Sequence, residues 1–138
     1  MFVEDNETVN IKLYFRKDGR SYEVYHEHQF NNADIKTSDR AQFQILNVTM
    51  KELNWGLHNE LQEAAVVDLG NGATRFDYRK FKESKLFKTI TAWDAKDKNG
   101  NPVPVNAESI KKLHEDIGEA IVRAYDDKSY LGEEAEKK

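Results

Sequence analysis

The fold is decided by residues 9–28, VNIKLYFRKDGRSYEVYHEH. From Val9 to Phe15, apolar side chains alternate with mostly polar ones, which is the period-2 pattern of a strand with one buried face. Asp18-Gly19 then predicts a two-residue type I′ turn, because both central residues of that turn adopt positive φ. We therefore predict a β-hairpin with the pairs Phe15–Tyr22, Leu13–Val24, Ile11–His26 and Val9–His28.

Downstream of the hairpin, a third strand and then three helices are predicted. Residues 41–45 alternate as a strand does, and a two-stranded hairpin alone is marginally stable, so a third strand is expected. Each helix begins at a residue suited to capping it. The predicted helices are one from the capping box Thr49/Glu52 to Gly70-Asn71-Gly72, one from Asp77 to about Trp93, and one from Asn106 to about Tyr125.

These elements predict an α+β fold in which an N-terminal β-hairpin, or small antiparallel sheet, packs against about three α-helices. The chain of 138 residues suits one domain. We place that domain at residues 1–125, β-rich over 1–47 and helical over 48–125. Residues 126–138 are predicted to be a flexible polar tail.

Composition narrows the classes of function. The formal charge of −4 gives no overall attraction to nucleic acid or to an anionic membrane. The longest apolar run is Ala64–Val67, far short of a bilayer span, and the first twenty residues do not fit a secretory signal. The chain has no cysteine, which excludes disulfides and thiolate chemistry. We expect a cytoplasmic protein with no membrane partner.

A basic segment with interleaved aromatic rings, residues 75–88, is the one local candidate for nucleic-acid binding. We favour the alternative of a helix whose aromatic side chains turn inward and whose lysines stay solvated. Nucleic-acid binding is therefore disfavoured.

Catalytic and metal chemistry find little support in the sequence. His26 and His28, placed on one strand face, could bind a metal if His58 or His114 supplied a third ligand. We favour the interpretation that they lie at the wetter end of the hairpin face or pair with acidic neighbours. The chain has no phosphate-binding loop and no nucleophile elbow. We expect no enzymatic activity, no catalytic or metal-binding residue and no cofactor.

One block joins the second and third predicted helices. It contains a tryptophan closing a helix (ITAWD, 90–94), an Asp/Gly/Pro turn with a short extended piece (DKNGNPVPV, 97–105), a capped helix start (NAESI, 106–110) and a helix end (AIVRAY, 120–125). This block, within residues 81–125, resembles the C-terminal signature of tail assembly chaperones of long-tailed bacteriophages. The resemblance implies a non-enzymatic protein of the host cytoplasm that binds the tape-measure protein and keeps it soluble until tube subunits polymerise around it.

A tape-measure protein is a long helical chain with apolar stripes, which a groove on a small acidic protein could cover. The candidate contact residues are Trp55, Leu57, Leu61, Trp93 and Tyr125, with the alternative that they form the core of the monomer. Self-association is left open.

Two other functions stay open. One is a structural component of the tail or virion, in which the hairpin adds its edge to the sheet of a neighbouring phage structural protein. The other is a small acidic inhibitor of a host defence or nucleic-acid enzyme, with carboxylates in the place of phosphates.

Overall fold

A computed structural model describes residues 1–128. The elements along the chain are β1 (Thr8–Asp18), β2 (Ser21–His26), α1 (Glu27–Asn32), α2 (Thr37–Arg40), β3 (Gln44–Lys51), α3 (Trp55–Ala64), β4 (Val66–Gly70), β5 (Ala73–Phe76), α4 (Tyr78–Thr89), β6 (Ile90–Trp93), α5 (Ala107–Lys111) and α6 (Glu115–Lys128). Four strands form an antiparallel sheet in the order β2-β1-β3-β6, and β4 pairs with β5 in a separate sheet. The predicted α+β fold class is confirmed.

The core lies on one face of the four-stranded sheet. Ile11 and Leu13 of β1 and Val48 and Met50 of β3 are each at most 2% exposed. They belong to one buried cluster that also includes residues of α3, α4, α5 and α6. The alternation of apolar and polar residues in β1 therefore points one set of side chains into the core, as the sequence predicts.

The N-terminal hairpin forms, but its predicted register is wrong. Phe15 pairs with Val24 and Leu13 with His26, so each partner lies two residues beyond the predicted one. The turn is Gly19-Arg20, with positive φ at Gly19 (64°) and not at Arg20, as a type II′ turn requires. A shift of two residues leaves the strand faces unchanged, and the apolar face stays buried.

The predictions for residues 41–54 are corrected by β3. This strand begins later than the predicted one and continues through Thr49, where a helix was expected. Val48 pairs with Ile11, and the burial of this pair outweighs the local capping-box signal. Helix α3 begins only at Trp55, after Asn54, whose side chain caps it.

A second hairpin replaces the predicted end of that helix. β4 and β5 are joined by Asn71-Gly72, and both residues have positive φ (54° and 77°), which fits a type I′ turn. The predicted helix end at these residues is wrong, because glycine and asparagine serve both in helix ends and in hairpin turns. Residues 48–125 therefore contain strands as well as helices, contrary to the predicted division of the chain.

The last two predicted helices begin at the predicted caps but end elsewhere. Asp77 caps α4, which stops at Thr89, and Trp93 lies in β6 instead of closing a helix. Asn106 caps α5, which stops at Lys111, and α6 begins separately. The side chain of His114 accepts a hydrogen bond from the Asp116 amide at 3.0 Å and so caps α6.

The end of the predicted domain is also corrected. α6 continues through Lys128, beyond the predicted boundary at residue 125, and residues 129–138 of the predicted tail lie outside the described residues. Over residues 1–128, no helix has the length and apolar character of a membrane span.

The outer face of the sheet carries a separate aromatic cluster. The ring of Phe30 in α1 stacks on that of Tyr14 with centroids 4.1 Å apart, and it contacts the ring of Phe43. The guanidinium of Arg40 lies over Phe30 and donates hydrogen bonds to the carbonyls of Phe30, Ala33 and Ile35. These contacts hold α1 and the segment after it against the sheet.

Candidate protein-binding surfaces

Two of the five predicted contact residues are buried and cannot reach a partner. Leu61 and Tyr125 are both 0% exposed and belong to the core. The Tyr125 hydroxyl donates a hydrogen bond to the Lys51 carbonyl at 2.8 Å, and burial raises the pKa of this phenol above its ordinary value. For these two residues, the alternative of a core role is correct.

Trp93 is half-buried in a cleft between the sheet and the segment after β6. Its Nε1 donates to the Val103 carbonyl at 2.7 Å, which orients the indole. The cleft has a volume of about 1000 Å³, and Phe15, Tyr22 and Leu113 also line it. Trp93 thus combines a structural hydrogen bond with partial access to solvent.

Trp55 and Leu57 lie together at the start of α3. The side chain of Asn54 accepts a hydrogen bond from the Leu57 amide at 2.8 Å, which fixes the first turn of the helix. Leu57 packs partly against the core, whereas Trp55 is 82% exposed. Of the predicted contact residues, Trp55 is the one with most of its side chain in solvent.

The segment 1–5 forms a groove with this end of α3. The side-chain Nδ2 of Asn54 donates to the Val3 carbonyl and to the Asp5 carboxylate, both at 3.4 Å. The backbone amide of Glu52 donates to the Glu7 carbonyl at 2.9 Å. The groove has a volume of about 920 Å³. We call it the Trp55 groove; its apolar lining is Met1, Phe2, Val3, Leu53, Trp55 and Leu57. Phe2 is 82% exposed, as Trp55 is.

Acidic side chains surround the Trp55 groove. Glu4, Asp5, Glu52 and Glu60 all line it, against Lys51 as the one basic side chain in its lining. Lys88 lies nearby, with its Nζ 3.6 Å from the Glu60 carboxylate. The groove therefore suits a partner segment that is apolar on one side and basic beside it.

The β4–β5 hairpin carries a second exposed apolar surface, which sequence reasoning missed. Val66 and Phe76 face each other across the two strands and are each 50% exposed, and Tyr78 is 59% exposed. We call these three residues the hairpin patch. The rings of Phe76 and Tyr78 both contact Phe81, with centroids 5.5 and 6.1 Å away. The signal that could have found it is Asn71-Gly72, a strong hairpin signature, between VVDL (66–69) and ATRF (73–76).

The basic segment 75–88 differs from its predicted form. Phe81 and Phe87 pack against the core as predicted, whereas Phe76 and Tyr78 are half or more exposed instead of turning inward. Three of its lysines form ion pairs: Lys82 with Glu119, Lys85 with Asp126 and Lys88 with Glu60. Lys85 is 6% exposed, and its ammonium also lies 4.6 Å from the centroid of the Phe81 ring. The predicted solvation of the lysines is therefore wrong for this residue.

The histidines do not form the metal site that the sequence allows, although the rings of His26 and His28 lie side by side with centroids 6.3 Å apart. His26 ends β2, but His28 lies in α1, so the prediction that both share a strand face is wrong. His26 instead caps α1: its Nδ1 accepts a hydrogen bond from the Gln29 amide at 3.2 Å. Burial lowers the pKa of His26, which favours the neutral form of the ring, the form that can accept this hydrogen bond. Within residues 1–128, no group of three or more ligand-type side chains is arranged to hold a metal ion.

In comparisons with protein-family models, curated proteins and solved structures, no match to this chain was found.

Proposed function

We propose that this protein is a non-enzymatic binding protein of phage tail assembly, which keeps the tape-measure protein soluble in the host cytoplasm. The observation that carries the proposal is the pair Phe2 and Trp55, each 82% exposed beside the Trp55 groove. Leaving two large apolar side chains in water does nothing for the stability of the monomer. Tryptophan is also the residue type most enriched where protein interfaces gain their binding energy.

The chemistry of the groove favours a helical partner. An amphipathic helix presents apolar side chains at positions i, i+3 and i+4, which would enter the groove beside Trp55 and Leu57. Basic residues on the flanks of such a helix would meet the carboxylates of Glu4, Asp5 and Glu60. A long helical protein with apolar stripes that is liable to aggregate fits this description.

The choice of a tape-measure protein comes from the resemblance of residues 81–125 to tail assembly chaperones. The Asn106 cap agrees with that resemblance, but the helix that it caps ends at Lys111 and Ile117 and Ile121 lie in a separate helix. Trp93 departs from it, since this residue lies in a strand. The resemblance and the groove are independent lines of support, because the groove lies outside the resembling block.

The test is affinity purification of the full chain from virus-producing cells, with mass spectrometry of the proteins recovered. We expect recovery of a very long helical tail protein by the unaltered chain and its loss with Trp55→Ser. The matched control is Ile45→Ser, because Ile45 is also an exposed large apolar residue (48%) but does not line the groove. Both variants should keep the unaltered far-UV circular dichroism.

Three outcomes would contradict the proposal. Recovery of tube or baseplate proteins in place of a tape-measure protein would favour a structural role. Recovery of a host enzyme would favour an inhibitor. Undiminished recovery of the tape-measure protein by Trp55→Ser would remove the groove as its site.

A further inference from the structure

Two exposed apolar surfaces of this chain lie beyond the two ends of one helix. The Trp55 groove is at the start of α3, and the hairpin patch follows its end. A helix of ten residues is about 15 Å long, so the two surfaces are separate. Each includes large apolar side chains that are half or more exposed to solvent.

The charges beside the two surfaces are opposite in sign. Four carboxylates and one lysine line the Trp55 groove. Next to the hairpin patch, Arg75, Arg79 and Lys80 are exposed. Two acidic residues of this region, Asp68 and Asp77, accept hydrogen bonds from backbone amides of the turn and of the first turn of α4. Asp77 also lies 4.0 Å from the Arg75 guanidinium, so Arg79 and Lys80 are the basic groups here that form no ion pair within residues 1–128. An acidic apolar groove and a basic apolar projection are complementary.

The β4–β5 hairpin is also suited to contact a second protein surface. β4 and β5 form a sheet of two strands with no third strand among residues 1–128, and such a sheet alone is marginally stable. Its base is anchored, because the Asp77 amide donates to the Ala65 carbonyl at 2.7 Å and Phe76 packs on Phe81. Contact with a second protein surface would cover the patch and add the packing that the isolated pair of strands lacks.

From these observations we infer that the hairpin patch of one copy docks into the Trp55 groove of a second copy. The two surfaces differ, so the contact is head-to-tail: each copy gives a hairpin and receives one, and the contact builds rings or open chains. Phe76 and Tyr78 would lie against Phe2 and Trp55, with Arg75 near the carboxylates of the groove. This inference goes beyond the proposed function, because it concerns the purified protein without any client.

The experiment is sedimentation velocity of the purified full chain over a wide range of concentration, at low and high salt. We expect the average mass to rise with concentration and to fall with added salt, because salt screens the charge attraction. Trp55→Ser and Phe76→Ser should each weaken association by about tenfold or more, the effect of losing one central aromatic contact. Ile45→Ser is the control for an exposed apolar residue outside both surfaces and should associate as the unaltered chain does.

The decisive sample is an equimolar mixture of the two variants. The intact hairpin of Trp55→Ser can occupy the intact groove of Phe76→Ser, so the mixture should form dimers that cannot extend further. A monomeric unaltered chain, a single variant that still associates, or a mixture that remains monomeric would each overturn the inference. The second result would indicate that the surface left intact in that variant pairs with itself. None of these results bears on recovery of a tape-measure protein from cells, so the two proposals fail separately.

Discussion

The two hairpins of this molecule have similar turns but different surroundings. The β1–β2 hairpin is part of a four-stranded sheet whose Ile11 and Leu13 are almost fully buried. The β4–β5 hairpin stands apart, with Val66 and Phe76 half in solvent. Both have a two-residue turn with a glycine at positive φ. Turn chemistry therefore explains why each hairpin forms but not what each one packs against.

The difference separates residues that hold the fold together from residues that are available to a partner. Burial of apolar surface stabilises the folded state by roughly 25 cal/mol per Å². Ile11 and Leu13 of the first hairpin bury nearly all of their surface, whereas Val66 and Phe76 of the second bury about half. The apolar side chains of the second hairpin therefore stabilise the monomer less than they would if they were buried. Three measurements sharpen this comparison.

The largest expected effect is the contrast between Leu61→Ala and Leu69→Ala. Leu61 is 0% exposed in the core, so its truncation should lower the free energy of unfolding by about 2–5 kcal/mol. Leu69 in β4 is 57% exposed, and the same truncation should change that free energy by less than about 0.5 kcal/mol. Urea denaturation of both variants measures the difference. Equal losses would show that the second hairpin belongs to the cooperative core.

A smaller effect is expected from Tyr125→Phe. The substitution removes the hydroxyl that donates to the Lys51 carbonyl at the end of β3, and it keeps the buried ring. The loss should be about 0.5–1.5 kcal/mol, the net worth of one such hydrogen bond, because the contact with the Lys51 carbonyl is part-buried. Urea denaturation again provides the measurement, and Tyr78→Phe, at an exposed position in the hairpin patch, is the control expected to show no loss. A Tyr125→Phe chain as stable as the unaltered one would mean that water replaces the lost donor.

The smallest expected effect is a dependence on pH at the end of β2. Burial lowers the pKa of His26 below its ordinary value of 6.5, although Asp127 opposes this shift. Between the two pKa values the unfolded chain binds more protons than the folded one, so the contribution of His26 to stability is present above pH 6.5 and is lost as the pH falls through the lowered pKa. Protonation also removes the acceptor that caps α1.

The measurement is urea denaturation over the range pH 5 to 8, with His26→Asn as the control. Asparagine caps a helix but does not titrate, so the variant should lose less stability than the unaltered chain as the pH falls. Identical pH profiles for the two chains would show that His26 does not contribute to the dependence.

Several local elements could be predicted from the sequence. The alternation in β1 gave the buried face correctly, and Asn106 and Asp77 cap helices as predicted. The register of the first hairpin was wrong because two turns, Asp18-Gly19 and Gly19-Arg20, are both compatible with the residues present. The strand β6 was also missed. The division between α5 and α6 was missed because the apolar spacing of residues 110–124 continues through the break.

The candidate contact residues show the same limit of prediction from local sequence. Trp55, Leu61 and Tyr125 have similar hydrophobic character in the sequence, yet Trp55 faces solvent while the other two are fully buried. The exposed residues Phe76 and Tyr78 were expected to point inward. Helical periodicity places residues on a common face but does not say whether another element covers that face.

The sequence alone determined the α+β class, the inner face of β1 and the caps at Asp77 and Asn106, because each depends on residues within a few positions of one another. Tertiary structure decided that Thr49 belongs to a strand, that Tyr125 lies in the core and that Trp55 and Phe76 stay exposed. These outcomes depend on which elements compete to cover the same apolar surface. That competition is settled by the total area buried across the whole chain, which no local pattern contains.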